Sequence, residues 1–145
     1  MIIKSLITSI GVVVAMANQA VAQDRFLGKV KLPKGETVVV AEGDFETRST
    51  GSFSIRLYEA ADAPDETTFF SSGLVLGRDG VIEKLMLANV NKDPQEEIVV
   101  TIRSVGTGGY LSAHAFAAVK GKLTRIASVD GLAASADPVV ALRKR

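Results

Sequence analysis

Ser104-Val105-Gly106-Thr107-Gly108-Gly109-Tyr110 is the stretch in which residue type and spacing most plainly suggest a task. Three glycines in four positions free the backbone for positive φ and leave almost no side-chain bulk. What remains is a thin strip of main chain carrying the hydroxyls of Ser104, Thr107 and Tyr110, with Arg103 leading into it. Two readings fit: a glycine-rich hairpin turn, or a narrow polar key shaped to enter the cleft of another molecule. Composition does not choose between them.

The other candidates for chemistry are weaker. His114 is the single histidine, there is no cysteine, and no carboxylate stands near His114 in sequence. A lone strand histidine is more often a surface residue than a general base. Acidic side chains are scattered over loops, so nothing pairs them as a glycosidase requires. Asn89-Val90-Asn91-Lys92-Asp93-Pro94-Gln95-Glu96-Glu97 has oxygen donors at alternating positions, and it resembles calcium loops and the aspartate-rich loops of integrin-type propeller blades. Asn89, Asn91, Asp93 and Glu97 would be the ligands. Against this, Asn89 stands where a carboxylate is usual and Pro94 where glycine is. A turn capped by Asn and Asp side chains is the simpler reading.

The leader precedes all of this. Lys4, the apolar run within Ser5–Met16 and the small-x-small pattern Ala20-Val21-Ala22 predict a cleaved secretory signal, with the exported chain beginning at Gln23. Residues 23–145 are one domain's worth of chain and can bury roughly two thirds of their unfolded surface. Lys4 is the leader's sole charge, leaving 16 basic and 16 acidic residues in the exported part. That balance offers no field for nucleic acid or an anionic membrane.

The elements that must hold the loop read as short strands. Phe26–Leu32, Glu36–Ala41, Ser52–Glu59, Thr67–Gly77, Val81–Ala88, Glu97–Arg103, Leu111–Lys120 and Leu123–Val129 are apolar or alternating, with turn residues between them. Three consecutive valines, Val38–Val40, suit a strand buried on both faces. Phe53, Ile55 and Leu57 face one way, and Ile98, Val100 and Ile102 are expected inward with Val99, Thr101 and Arg103 outward. The alanines at 113, 115 and 117 imply a close-packed neighbour. Asp79-Gly80 predicts a hairpin. Pro64 stops any helix in 60–66, and Asp130-Gly131 and Asp137-Pro138 read as turns in the tail. Connections this short exclude helical crossovers, so the pairing is antiparallel and the expected fold is an all-β antiparallel sandwich of about eight strands without helices.

Ile102-Arg103-Ser104, then Gly106-Thr107-Gly108-Gly109-Tyr110-Leu111-Ser112-Ala113, preceded by Glu97-Ile98-Val99-Val100, resembles the periplasmic inhibitors of i-type (invertebrate) lysozyme. The resemblance implies a non-enzymatic periplasmic homodimer that needs no cofactor and whose protein partner is an i-type lysozyme. It further implies that Thr107, Gly108, Gly109 and Tyr110 match a Ser-Gly-x-Tyr-like loop that plugs the lysozyme active site. Thr107 stands where serine is usual, and Ser104 is the alternative working hydroxyl. Arg103 is then either a charge for a cleft carboxylate or a solvated strand residue. The competing reading is a surface module that binds calcium, glycan or protein through 89–97.

Overall fold

The computed structural model describes residues 24–145, and the expected leader Met1–Ala22 lies outside the described residues. Eight antiparallel strands form two four-stranded meanders. The first sheet is β1 (Leu27–Lys31), β2 (Thr37–Glu42), β3 (Gly51–Tyr58) and β4 (Phe70–Arg78), in that order. The second is β5 (Val81–Ala88), β6 (Glu97–Arg103), β7 (Leu111–Val119) and β8 (Lys122–Leu132). β1 lies beside β5 and β4 beside β8, so the sheets stack as a sandwich.

Alternation fixes the core. Val38, Val40, Phe53, Ile55 and Leu57 from the first sheet meet Ile98, Val100, Ile102 and Phe116 from the second, all buried. This is the interdigitated inner layer that stacked sheets require. Val39, on the outer face of β2, is also buried, as the valine run predicts.

Four expectations need correction. Asp79-Gly80 does not close a hairpin, because β4 pairs only with β3 and β5 only with β6. Among the described residues it is the one corner at which the chain passes between sheets. The cause is long-range: the buried Arg78 side chain binds the carbonyls of Thr47 and Arg48 in the β2–β3 loop and of Ser52 in β3, and the Ile82 amide donates to Glu42 Oε1 at 2.8 Å. The chain is not free of helix either. A short 3-10 turn spans Asp65–Thr67, and α1 spans Pro138–Arg143. Asp137 caps α1 by accepting from the Val139 and Val140 amides at 2.9 and 3.3 Å, with Pro138 in the first turn.

The outer face of β6 is consequently not outward in the solvent sense. Val99 and Thr101 are buried, and Val99 joins Ala113, Ala115, Val129, Val90 and Leu142 in a second apolar cluster. α1, which packs on β7 and β8, is the close neighbour that the alanine face implies. Finally, β8 continues through Asp130-Gly131 to Leu132. Gly131 takes φ of +64° where the β7–β8 register slips, so this is a bulge within the strand.

Candidate functional site

The 104–110 segment joins β6 to β7 at one end of the sandwich. At its neck the Ser104 amide donates to the Tyr110 carbonyl at 2.9 Å. Val105, Gly106, Thr107, Gly108 and Tyr110 are exposed, whereas Ser104 and Gly109 are partly covered. Thr107 is therefore displayed beyond the neck and Ser104 sits in it. The glycines are used for shape. Gly108 has φ of +99°, and a Cβ there would stand 2.9 Å from the Tyr110 ring, so the aromatic lies against bare main chain. Tyr110 is nonetheless 55% exposed.

Arg103 holds this segment from below. Its Nε and Nη2 donate to Glu83 Oε1 and Oε2, each at 2.9 Å, a partly solvated bidentate pair. Nη1 donates to the carbonyls of Gly109 at 2.8 Å and Ala134 at 3.3 Å. Glu83 can reach because it is the residue skipped by the β5–β6 pairing between Ile82 and Lys84, and bulges re-aim side chains in this way. Arg103 is thus engaged within the chain as a brace from β5 and the 134 carbonyl to the loop.

The 89–97 segment lies at the other end and uses its donors on itself. Asn91 Oδ1 accepts from the Asp93 amide at 3.1 Å, and Asn89 Nδ2 donates to the Asp93 carbonyl at 2.7 Å. Buried Glu97 accepts from the Val90 amide at 2.6 Å. Arg143 of α1 closes the arrangement on the Asn89 carbonyl at 2.7 Å. This is a self-capped turn. Among the described residues no group of three or more His, Asp or Glu is placed to hold a metal.

His114 is buried on the inner face, not at the surface where a lone strand histidine is expected. Its ring lies 5.8 Å from Phe53 and 6.3 Å from Phe116, centroid to centroid. Burial holds its pKa below the usual 6.5, Arg125 adds to the shift, and Asp130 opposes it. Its Nδ1 is buried without a hydrogen-bond partner among the described residues.

The sequence model described as periplasmic lysozyme inhibitor of I-type lysozyme matches residues 24–145, all of the described chain. The chain belongs to this family. Two crystal structures are similar. One is PliI-Ah, periplasmic lysozyme inhibitor of I-type lysozyme from Aeromonas hydrophyla, with 42% identity over 81% of this chain and 98% of that one, and a TM-score of 0.77. The other is Aeromonas hydrophila PliI in complex with Meretrix lusoria lysozyme, with 42% identity over 81% and 95% of the two chains, and a TM-score of 0.75. No curated protein matches the chain.

In this periplasmic I-type lysozyme inhibitor, 104–110 is an exposed segment braced at its neck. No helix among the described residues is long and apolar enough to cross a membrane. Sequence reasoning placed a connection at 104–110 between two strands but missed Glu83, which is twenty positions from Arg103 and becomes its partner only through a bulge. It also missed Arg78, which looks like an ordinary charge before a turn. Its side chain has no exposed surface, and all five of its N–H groups have acceptors.

Proposed function

We propose that this periplasmic inhibitor blocks i-type lysozyme by inserting the 104–110 loop into the catalytic cleft, stoichiometrically and without turnover. One observation carries the reading: a side-chain-poor, hydroxyl-bearing segment stands exposed while its neck is fixed by the Ser104–Tyr110 hydrogen bond and the Arg103–Glu83 brace. A loop already held in its binding shape loses less entropy on docking. The Aeromonas hydrophila relative in complex with Meretrix lusoria lysozyme supports a lysozyme partner.

The chemistry suits a glycosidase cleft, in which two carboxyl groups flank the sugar chain and one is kept protonated. The Thr107 hydroxyl donates to a carboxylate and accepts from a carboxylic acid, so it is satisfied in either state. Its exposed position favours it over Ser104 as the inserted hydroxyl. A hydrogen bond to a charged group contributes about 1.5–3 kcal/mol, whereas nanomolar binding needs about 12 kcal/mol. The difference has to come from surface burial around the loop, first of all Tyr110, a residue type enriched at binding hot spots. Association of two copies as a homodimer is a separate expectation, read by sedimentation of the purified protein.

The test is a titration of the purified protein against i-, c- and g-type lysozymes with residual lysis as the readout. Inhibition of the i-type enzyme at near-stoichiometric ratio is expected. Indifference of all three enzymes would remove the reading.

A further inference from the structure

Phe45 is the most exposed large apolar residue among the described residues, at 99%, in the 43–50 loop between β2 and β3. It also has φ of +63°. A bulky side chain in the left-handed region is a steric outlier, and such strain concentrates at binding sites, where the surroundings enforce it. Neither property helps the isolated fold. A mobile surface loop would relax the backbone and lay the ring against the protein.

The loop is not free to do so. Glu46 accepts from the Ser52 amide at 2.5 Å and the Ser52 hydroxyl at 2.6 Å, and these bonds, with Arg78 nearby, hold its carboxylate below the usual range. The Thr47 hydroxyl donates to the Thr50 carbonyl at 3.0 Å. Arg25 donates to the Glu46 carbonyl, and Arg48 to that of Asp24 at 2.6 Å. Arg78 donates to the carbonyls of Thr47 at 2.9 Å and Arg48 at 3.0 Å. The residues after Phe45 are thus fixed from four sides, with the ring left outside.

The same arginine ties this loop to the 104–110 loop. Arg78 Nη1 also donates to the Gly80 carbonyl at 2.7 Å. Gly80, with φ of +128°, packs so closely on the Arg103 carbonyl and the Ser104 Cα that no side chain fits there. Register agrees, since Gly51 faces Arg78 and Val81 faces Arg103, which brings both loops to one end of the sandwich. Stacked sheets lie about 10 Å apart. One side of an ordinary protein interface covers about 800 Å², a patch roughly 30 Å wide, so both loops fit under one partner.

We propose that Phe45 is a second contact for the lysozyme, an apolar anchor that docks on the rim of the cleft while the 104–110 loop enters it, the spacing of the two being set by the Arg78–Gly80 corner. The inference rests on the inhibitor reading above. It supplies part of the buried surface that the hydroxyl contact leaves unaccounted for.

Phe45→Asn tests it, because asparagine is polar yet tolerates the left-handed region. Against Meretrix lusoria lysozyme, the variant is expected to need at least ten times more inhibitor for half inhibition. Its melting temperature should equal or exceed that of the wild type, and Phe45→Leu should recover most of the inhibition. Unchanged inhibition by Phe45→Asn, with the wild type inhibiting normally, would overturn this inference and leave the loop reading intact. So would conversion of a dimer to monomers by Phe45→Asn with inhibition per chain unchanged. A wild-type protein that does not inhibit would instead remove the underlying reading, and this inference with it.

Discussion

The connections 89–97 and 104–110 belong to the same sheet, lie at opposite ends of it, and are both rich in polar side chains. They differ in where those side chains are used. Asn89, Asn91 and Glu97 bond to the main chain of their own segment. In 104–110 the neck is held by a main-chain bond and by Arg103 and Glu83, which lie outside the segment, leaving Thr107 and Tyr110 exposed. Segment 89–97 uses its polar groups to hold itself, whereas 104–110 is held by neighbours so that its own groups stay available. Mutations should therefore separate stability from inhibition.

The largest expected effect falls on the structural loop. Glu97→Ala strands the buried Val90 amide and is expected to cost about 3 kcal/mol of stability. Inhibition per folded molecule should stay at the wild-type level, checked by urea unfolding alongside an active-site titration. Loss of inhibition in a sample that is still folded would mean that both ends of the sandwich contact the enzyme.

Tyr110→Ala is the converse. The residue is half exposed and its ring lies on Gly108, so its removal leaves no buried cavity. Inhibition is expected to weaken at least tenfold with little change in melting temperature. A variant that unfolds would make Tyr110 a support of the fold, and the contrast between the loops would fail there.

Glu83→Ala should have a smaller effect. The pair with Arg103 is partly solvated, and such pairs contribute about 0.2–1 kcal/mol. Freed of its partner, Arg103 holds Gly109 less firmly. A two- to fivefold weakening of inhibition is expected, with the loss in the association rate because the loop is less prearranged. Added salt should reproduce part of it in the wild type and none in the variant.

The strands and their pairing sense were legible in the sequence because both are local. Alternation around Phe53–Leu57 and Ile98–Ile102 and the short connections leave little choice. The position of the 104–110 loop was legible for the same reason. What escaped depends on distant partners. Asp79-Gly80 is a hairpin signal by local chemistry, and only the buried Arg78, bound to carbonyls about thirty positions earlier, turns it into a corner between sheets. Asp137-Pro138 marks a helix start as well as it marks a turn. What selects the helix is that Leu142 has an alanine face to cover. The exposure of Phe45 has no local signal at all, since an aromatic beside charged residues reads equally well as a buried ring.

His114 offers the finest test of the contrast, because it affects the fold without belonging to either loop. Burial depresses its pKa from 6.5, with Arg125 acting in the same direction and Asp130 against it. The unfolded chain therefore binds a proton more readily than the folded one. Stability rises with pH across the interval between the two values, so this contribution is whole above pH 6.5 and shrinks as the pH falls toward the lowered folded value. Glu46 and Glu66 are shifted down from 4.5 through their bonds to Ser52 and Lys29, so their contributions persist until the pH drops below 4.5. The two windows do not overlap just below pH 6.5. Melting temperature is expected to decline there in the wild type and to stay flatter in His114→Leu, which has no proton to gain. The 104–110 segment holds no histidine and no carboxylate, so the variant should inhibit like the wild type at pH 7. A pH profile that is the same in both proteins would place the acid sensitivity elsewhere in the fold.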